Sequence, residues 1–286
     1  MKQKSKGRIA VKILLGIIAL LVVIGALNYR AVRAVWGNWT VGHIDMDEST
    51  EWAGGTTYEK VPYAEESPSQ YLDLYVPDMA DGSTPQLYVI IHGGGFITND
   101  SQSRQAQLMY RYFRDHGYAC ATINYRLAQE EPFPGAVCDC KAAIRFLRAH
   151  AEEYGYNAEK IAVFGESAGG YLAVMCAVTD DTQFMDLPFI GQETYGDVSA
   201  KVDVLVDYYG KVTQEGEDEE WATLGIPKIV FNIANSWISG DALQGYDDIH
   251  SYWFRKNVSE MTEEEKAYSD PSHYAMTNPD LSYLYS

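Results

Sequence analysis

Residues 160–171 read Lys-Ile-Ala-Val-Phe-Gly-Glu-Ser-Ala-Gly-Gly-Tyr, and this stretch decides the fold. A short apolar run leads into a Gly-x-Ser-x-Gly turn, and a helix is predicted to follow. A serine on so tight a turn adopts strained backbone angles, and the glycines two residues before and after it let chain segments pass closely. Its hydroxyl then stands clear of the sheet edge, facing the group that it would attack. The stretch predicts a nucleophile elbow centred on Ser167.

The pattern around this turn indicates alternating strands and helices. Alternation over residues 70–76 predicts a half-buried strand, and the continuous apolar run at 87–91 is typical of a central parallel strand with both faces covered. Further strands are predicted at residues 118–125 and 202–209, and helices at 101–116 and 136–154. Strands that alternate with helices of this length predict an α/β fold with a mostly parallel sheet covered by helices on both faces.

Composition excludes several classes of partner. Seven of the 22 basic residues lie in the first 33 positions of the 286-residue chain, so the remainder carries 15 basic against 40 acidic residues, a net charge of −25. A body this acidic repels phosphate backbones, and no nucleic-acid partner is expected.

The four cysteines form neither a disulfide framework nor a metal-ligand pattern. We predict core or surface cysteines, with one adventitious bridge as the alternative, and no metal or cofactor.

The N-terminus carries a candidate membrane segment. Residues 13–27 are uncharged and apolar, and with the positions before them they approach the length needed to cross a bilayer as a helix. A cleaved signal peptide would need small residues after this run. The residues found there are large or charged, namely Leu27-Asn28-Tyr29-Arg30. We therefore predict a signal anchor over residues 1–30. Five positive charges before the span and two after it predict a cytoplasmic N-terminus and an extracytoplasmic domain.

The rest of the chain divides into four predicted parts. Residues 31–56 are a predicted linker, and 57–210 form the core of the fold. Residues 211–268 begin with an acidic run and continue with many aromatic residues, which predicts a small helical cap with a capping signal at 262–265. These aromatic residues either pack within the cap or line a substrate pocket. Residues 269–286 are predicted to begin a return to the core that is not completed.

A second motif supports chemistry at Ser167. Residues 92–96 read His-Gly-Gly-Gly-Phe and directly follow the predicted central strand; we call them the oxyanion loop. Glycines allow successive backbone N–H groups to converge on the oxygen of a reacting carbonyl, and esterases have this element in the same place. We predict that His92 holds the loop and does not act as a base.

Residues 86–209 resemble a known family. They are similar to the α/β-hydrolases of the carboxylesterase and hormone-sensitive-lipase type, and most similar to the branch with bacterial feruloyl and acetyl esterases (BD-FAE-like). The motifs that carry the resemblance are residues 92–96, Asn-Tyr-Arg-Leu-Ala at 124–128, Phe-Pro-Gly-Ala at 133–136, Asp139 with Lys-Ala-Ala at 141–143, and residues 164–170.

The resemblance implies roles for individual residues. It implies an α/β-hydrolase fold with Ser167 as the nucleophile, and the N–H groups of Gly94, Gly95 and Ala168 as the oxyanion hole. By the same resemblance, Tyr125, Arg126 and Asp139 occupy positions with an architectural role.

The acid and the histidine of a catalytic triad are not identified. In this fold both follow the serine in the chain, each after a later strand. Residues 269–274, Ser-Asp-Pro-Ser-His-Tyr, resemble the segment before the acid-bearing strand, and 281–286 resemble the start of that strand. Three explanations are open: the chain is a fragment, it is a hydrolase fold that only binds, or the site is rearranged, with His273 or His250 as base and Asp270 as acid.

The function predicted from the sequence is that of a membrane-anchored, extracytoplasmic serine carboxylesterase. It would hydrolyse small neutral acyl esters, such as acetylated or feruloylated carbohydrate, through an acyl-enzyme on Ser167. The expected partners are a small ester and, through the N-terminal helix, a membrane. A non-catalytic binding protein and a peptidase of the same fold are the alternatives, and the sequence does not indicate an oligomeric state.

Overall fold

The structure, a computed structural model, describes residues 54–184, 195–212, 246 and 249–278, all of which belong to one compact unit. The strands are β1 (Gly55–Pro62), β2 (Tyr71–Pro77), β3 (Gln86–Ile91), β4 (Ala119–Ile123), β5 (Asn157–Glu166) and β6 (Val204–Tyr208). The α-helices are α1 (Arg104–Asp115), α2 (Gly135–Ala149), α3 (Ala151–Tyr154), α4 (Ala168–Val178), α5 (Ile249–Phe254), α6 (Glu263–Tyr268) and α7 (Pro271–Thr277), and a 3-10 turn spans Val258–Glu260.

The six strands form one mostly parallel sheet in the order β1-β2-β4-β3-β5-β6. Strands β4, β3, β5 and β6 are mutually parallel, while β2 runs antiparallel to β4 and β1 antiparallel to β2. The predicted α/β fold with a mostly parallel sheet is confirmed. In β3 the five residues from Leu87 to Ile91 are all buried, as predicted for a central strand covered on both faces.

Two strands differ from the sequence-based expectation in their burial. The prediction of a half-buried β2 is wrong, because this strand lies between β1 and β4 and six of its seven residues are buried. Strand β6 shows the opposite difference, since all five of its residues are exposed although four of them are aliphatic or aromatic. Within the described residues β6 pairs only with β5, so its outer edge forms no ladder there.

The helix ends follow local signals in the chain. The predicted helix over residues 136–154 is divided in two at His150, and its second part ends at Gly155, which has a φ of 82°. Helix α6 begins with the predicted capping box: Thr262 Oγ1 accepts the N–H of Glu265 at 3.2 Å, and the Glu265 carboxylate accepts the N–H of Thr262 at 2.8 Å.

Several predicted segments fall outside the described residues. The predicted anchor over residues 1–30 is among them, with most of the linker and residues 213–245 of the predicted cap. No helix in the described part of the chain has the length and apolar character needed to cross a bilayer. All four cysteines are described, and each is a buried free thiol.

A buried ion pair joins α2 to the loop after β4. Asp139, on α2, accepts two hydrogen bonds from Arg126, at 2.7 Å from Nη2 and 2.9 Å from Nε, and a third at 2.9 Å from the Arg126 backbone N–H. Gln70 donates a further hydrogen bond at 2.8 Å, and Asp139 is fully buried. These contacts join separate segments of the chain, which fits the architectural role that the family resemblance implies for Arg126 and Asp139.

Replacing Asp139 is expected to destabilise the fold strongly. Asp139→Asn removes the fully buried partner of the Arg126 guanidinium and leaves Glu131, 3.6 Å from Nη1, as its nearest acidic partner among the described residues. We expect the free energy of unfolding to fall by about 3 kcal/mol in urea titration. The matched control is Glu263→Gln, which removes the exposed ion pair between Glu263 and Lys266 and should change stability by less than about 1 kcal/mol. Equal effects of the two substitutions would contradict this account of the buried pair.

Candidate active site

Ser167 occupies a sharp turn between a strand and a helix. Strand β5 ends at Glu166, α4 begins at Ala168, and Ser167 between them has φ 54° and ψ −120°. A positive φ is unusual for a residue with a side chain and requires support from its surroundings. The backbone N–H of Ser167 donates to the carbonyl of Tyr208 at 3.0 Å, and its carbonyl accepts the first helical hydrogen bond from Tyr171 at 3.1 Å. The end of β6 therefore supports the elbow.

Close backbone approaches explain the glycines on either side of Ser167. A methyl group added at Gly165 would lie 2.0 Å from the carbonyl oxygen of Gly169. One added at Gly169 would lie 2.2 Å from the carbonyl oxygen of Ile91, the last residue of β3. Neither position has room for a side chain, because the contacting atoms are backbone. The same contacts place the start of α4 directly against the end of β3.

The oxyanion loop lies beside the elbow. Gly94 and Gly95 have φ values of 126° and 61°, and the Gly94 carbonyl accepts hydrogen bonds from Ile97 and Thr98, each at 3.2 Å. The N–H of Gly93 donates to Glu166 Oε1 at 3.1 Å, which joins the loop to the residue before the nucleophile.

The backbone donors predicted for the oxyanion hole lie on these two adjoining segments. Among the described residues, none accepts a hydrogen bond from the N–H of Gly94, Gly95 or Ala168. The oxyanion hole formed by these three N–H groups stays a prediction. Donors of this kind, presented beside a serine hydroxyl, are what acyl transfer requires to stabilise a tetrahedral oxyanion.

His92 is a buried part of the oxyanion loop. Its ring stacks on Tyr125, with ring centroids 4.2 Å apart, and its Nδ1 lies 2.8 Å from the carbonyl oxygen of Gly93. Because a carbonyl only accepts, Nδ1 carries the proton and donates. Burial lowers the pKa of His92 to about 4, so the ring is neutral at physiological pH. These contacts describe a loop-holding residue, which is the role predicted for His92.

An aromatic stack covers the far end of the oxyanion loop. Phe96 lies parallel to Trp253 of α5 with ring centroids 3.7 Å apart, and it meets Tyr171 edge-on at 5.6 Å. Trp253 is fully buried, and its carbonyl accepts the N–H of Phe133 at 3.0 Å. The described part of the predicted cap region therefore packs against the loop, next to the elbow helix. Whether its aromatic residues line a substrate pocket stays a prediction.

The structure does not join the candidate acid and bases into a triad. Asp270 caps α7: its Oδ1 accepts the backbone N–H of Ser272 at 2.8 Å and the Ser272 hydroxyl at 2.6 Å. His273 follows on the same helix with an exposed side chain. The ring of His250 lies 6.2 Å from that of Phe96. In the described part of the chain, no histidine hydrogen-bonds to Ser167, so the acid and base stay unassigned.

Two residues at the site were missed by the sequence analysis. The carboxylate of Glu166, which accepts the N–H of Gly93 through Oε1, also accepts the hydroxyl of Tyr209 through Oε2. Glu166 occupies the variable position of Gly-x-Ser-x-Gly, and Tyr209 directly follows β6. The available signal was an acidic residue at the end of an apolar run, since an acid that is buried there needs hydrogen-bond donors nearby.

Comparison with known proteins identifies relatives of the chain. The family model described as BD-FAE matches residues 72–240. Esterase LipC of Mycobacterium tuberculosis is 31% identical over 153 residues, which are 52% of this chain and 36% of that protein. Acetyl esterase of Salmonella paratyphi B is 36% identical over 107 residues, 37% of this chain and 31% of that protein.

A solved structure gives the same fold. It is described as a truncated form of carbohydrate esterase from gut microbiota, and it is 28% identical with a TM-score of 0.50 over 57% of this chain and 59% of that one. The chain spans about a third of the length of the curated relatives that it matches.

The buried His92 should make stability depend on pH. Its pKa is about 4 in the fold against 6.5 in an unfolded chain, so the unfolded state binds the proton first as pH falls. The contribution is complete above about pH 6.5 and is lost towards pH 4. Between pH 6.5 and 5 the wild type should lose about 1.5 kcal/mol more unfolding free energy than His92→Asn, as measured by urea titration. Parallel pH profiles of the two proteins would refute the prediction.

Proposed function

The chain belongs to the BD-FAE family of α/β-hydrolases, and we therefore propose that the protein is a serine carboxylesterase acting through an acyl-enzyme on Ser167. One observation carries the proposal: Ser167 has a φ of 54° at a strand-to-helix turn whose neighbouring loop is joined to it by the hydrogen bond from Gly93 to Glu166. The esterases among its relatives support the same reaction class.

The proposed reaction has two steps. Ser167 Oγ attacks the carbonyl carbon of the ester, and the N–H groups of Gly94, Gly95 and Ala168 stabilise the oxyanion. The bond to the alcohol oxygen then breaks, and the alcohol leaves with the proton that a general base took from the serine hydroxyl. Water attacks the acyl-enzyme in the second step, which releases the acid and restores Ser167. In this scheme His92 holds the oxyanion loop: its Nδ1 donates to the Gly93 carbonyl, and its own carbonyl accepts the hydroxyl of Tyr125.

We propose small, neutral acyl esters as the substrate class, with acylated carbohydrate as the first candidate. The net charge of −18 repels anionic esters and leaves uncharged ones unaffected. Two relatives have names that support this choice, one being an acetyl esterase and the other a carbohydrate esterase.

Ser167→Ala should abolish turnover of p-nitrophenyl acetate. The variant keeps the oxyanion donors but lacks the nucleophile, so we expect kcat to fall by about three orders of magnitude or more in a spectrophotometric assay. A fluorophosphonate probe should label the wild type and not the variant. Acetylated xylan and a peptide amide, assayed in parallel, separate an esterase from a peptidase.

Equal rates of wild type and Ser167→Ala, together with no labelling by the probe, would contradict the proposal. That result would favour the alternative of a hydrolase fold that only binds its ligand. Faster cleavage of the peptide amide than of the ester would favour the peptidase.

We also propose that residues 1–30 anchor the protein in a membrane with the esterase domain on the extracytoplasmic side. The support is the uncharged run at residues 13–27 and the excess of positive charge before it.

The anchor is tested by fractionation of cells that express the full chain. We expect the protein in the membrane fraction after carbonate washing, and we expect protease added to spheroplasts to digest the esterase domain. A variant that lacks residues 1–30 should leave the membrane fraction. Recovery of the full chain in the carbonate supernatant would refute the proposal.

A further inference from the structure

The carboxylate of Glu166 connects three segments at one edge of the sheet. Its Oε1 accepts the N–H of Gly93 after β3, its Oε2 accepts the hydroxyl of Tyr209 after β6, and its own backbone ends β5 beside Ser167. The side chain is therefore in contact with the oxyanion loop, the elbow and the end of the last described strand.

This carboxylate is buried and is satisfied by hydrogen bonds. Glu166 is 5% exposed, and among the described residues it forms no ion pair with a lysine or arginine. A buried carboxylate without a counter-ion depends on its donors, and hydrogen bonds to a charged acceptor are about twice as strong as those between neutral groups. Burial and the neighbouring carboxylate raise the pKa of the Tyr209 phenol, which stays protonated and donates.

The Gly93 peptide is held on both sides. Its N–H donates to Glu166, while its carbonyl accepts hydrogen bonds from His92 Nδ1 at 2.8 Å and from Asn99 Nδ2 at 3.3 Å. A methyl group on Gly93 would lie 2.4 Å from Glu166 Oε1, so the approach of the carboxylate requires glycine at this position. The Gly93 carbonyl and the Gly94 N–H belong to one planar peptide group, so the contacts that hold Gly93 also restrict the direction of the Gly94 N–H.

We propose that Glu166 and Tyr209 are positioning residues that set the geometry of the oxyanion hole relative to Ser167. The inference rests on the proposed esterase function and adds two residues to its machinery. Glu166 acts through the Gly93 peptide, and Tyr209 acts through Glu166. Neither side chain contacts the ester. Donors of an oxyanion hole must be placed within about 0.5 Å to be effective, so a loop that loses one of its hydrogen bonds loses transition-state stabilisation.

Substitution of Tyr209 can distinguish an effect on the position of the oxyanion loop from an effect on folding. Its side chain is 63% exposed, so Tyr209→Phe removes one hydroxyl without emptying a buried site. Substitution of Glu166 is more disruptive, and for that reason two variants are compared. Glu166→Gln keeps an acceptor for Gly93, whereas Glu166→Ala removes it.

The experiment measures kcat and KM for p-nitrophenyl acetate with the full chain. We expect kcat to fall roughly 3–10-fold in Tyr209→Phe and roughly 10–100-fold in Glu166→Ala, with KM within about twofold of the wild type, because the lost interaction acts in the transition state. Glu166→Gln should recover most of kcat. In the Glu166→Ala background, Tyr209→Phe should have no further effect, since the two residues act in series. Tyr112→Phe, on the exposed face of α1, is the matched control and should retain wild-type kcat.

Hydrogen–deuterium exchange gives a readout that does not need turnover. The amide of Gly93 should be protected in the wild type and in Tyr112→Phe, and it should exchange at least about tenfold faster in Glu166→Ala. If Ser167→Ala and the wild type are equally inactive, the proposed function fails and this measurement alone decides the inference. Unchanged exchange at Gly93 overturns it, as does kcat within twofold of the wild type in both Glu166→Ala and Tyr209→Phe.

Discussion

The backbone conformation of Ser167 is the constraint on which the rest of the site depends. A side-chain-bearing residue with φ 54° lies about 1–3 kcal/mol above its relaxed conformation and persists only where the surrounding structure enforces it. The enforcement comes from the Tyr208 carbonyl, from the contact between Gly165 and Gly169, and from the end of β3. All these contacts are made by backbone atoms, of the parallel strands and of the first turn of α4. Backbone contacts therefore hold Ser167 in its conformation without a contribution from the other side chains of the site.

Features encoded by neighbouring residues could be predicted, whereas burial of whole strands could not. The elbow, the central strand β3 and the capping box at Thr262 each depend on residues that are close in sequence. The burial of β2 depends on which strands flank it, and the chain pairs it with β1 and β4. An alternating pattern does not contain that information, because tyrosine and aspartate can occupy buried positions when hydrogen-bond partners are supplied from elsewhere.

The same distinction applies within the site. Ser167 and the glycines of the oxyanion loop belong to short motifs, but the contacts of Glu166 join it to residues 73 positions earlier and 43 positions later in the chain. No pattern of neighbouring residues predicts a contact between residues so far apart in sequence. The candidate acid Asp270 has a role that the local sequence explains: an aspartate followed by Pro271 and Ser272 is a helix start, with the acid as N-cap and proline in the first turn.

The four buried thiols can report where the folded structure opens locally. Cys120, Cys138 and Cys140 are fully buried and Cys176 is 2% exposed, on β4, α2 and α4. Burial raises the pKa of Cys120 and Cys138, which suppresses the reactive thiolate. An alkylating reagent therefore reaches these sulfurs only when the layers separate. The rate of labelling at each cysteine, read by mass spectrometry, would report which layer of the molecule parts first.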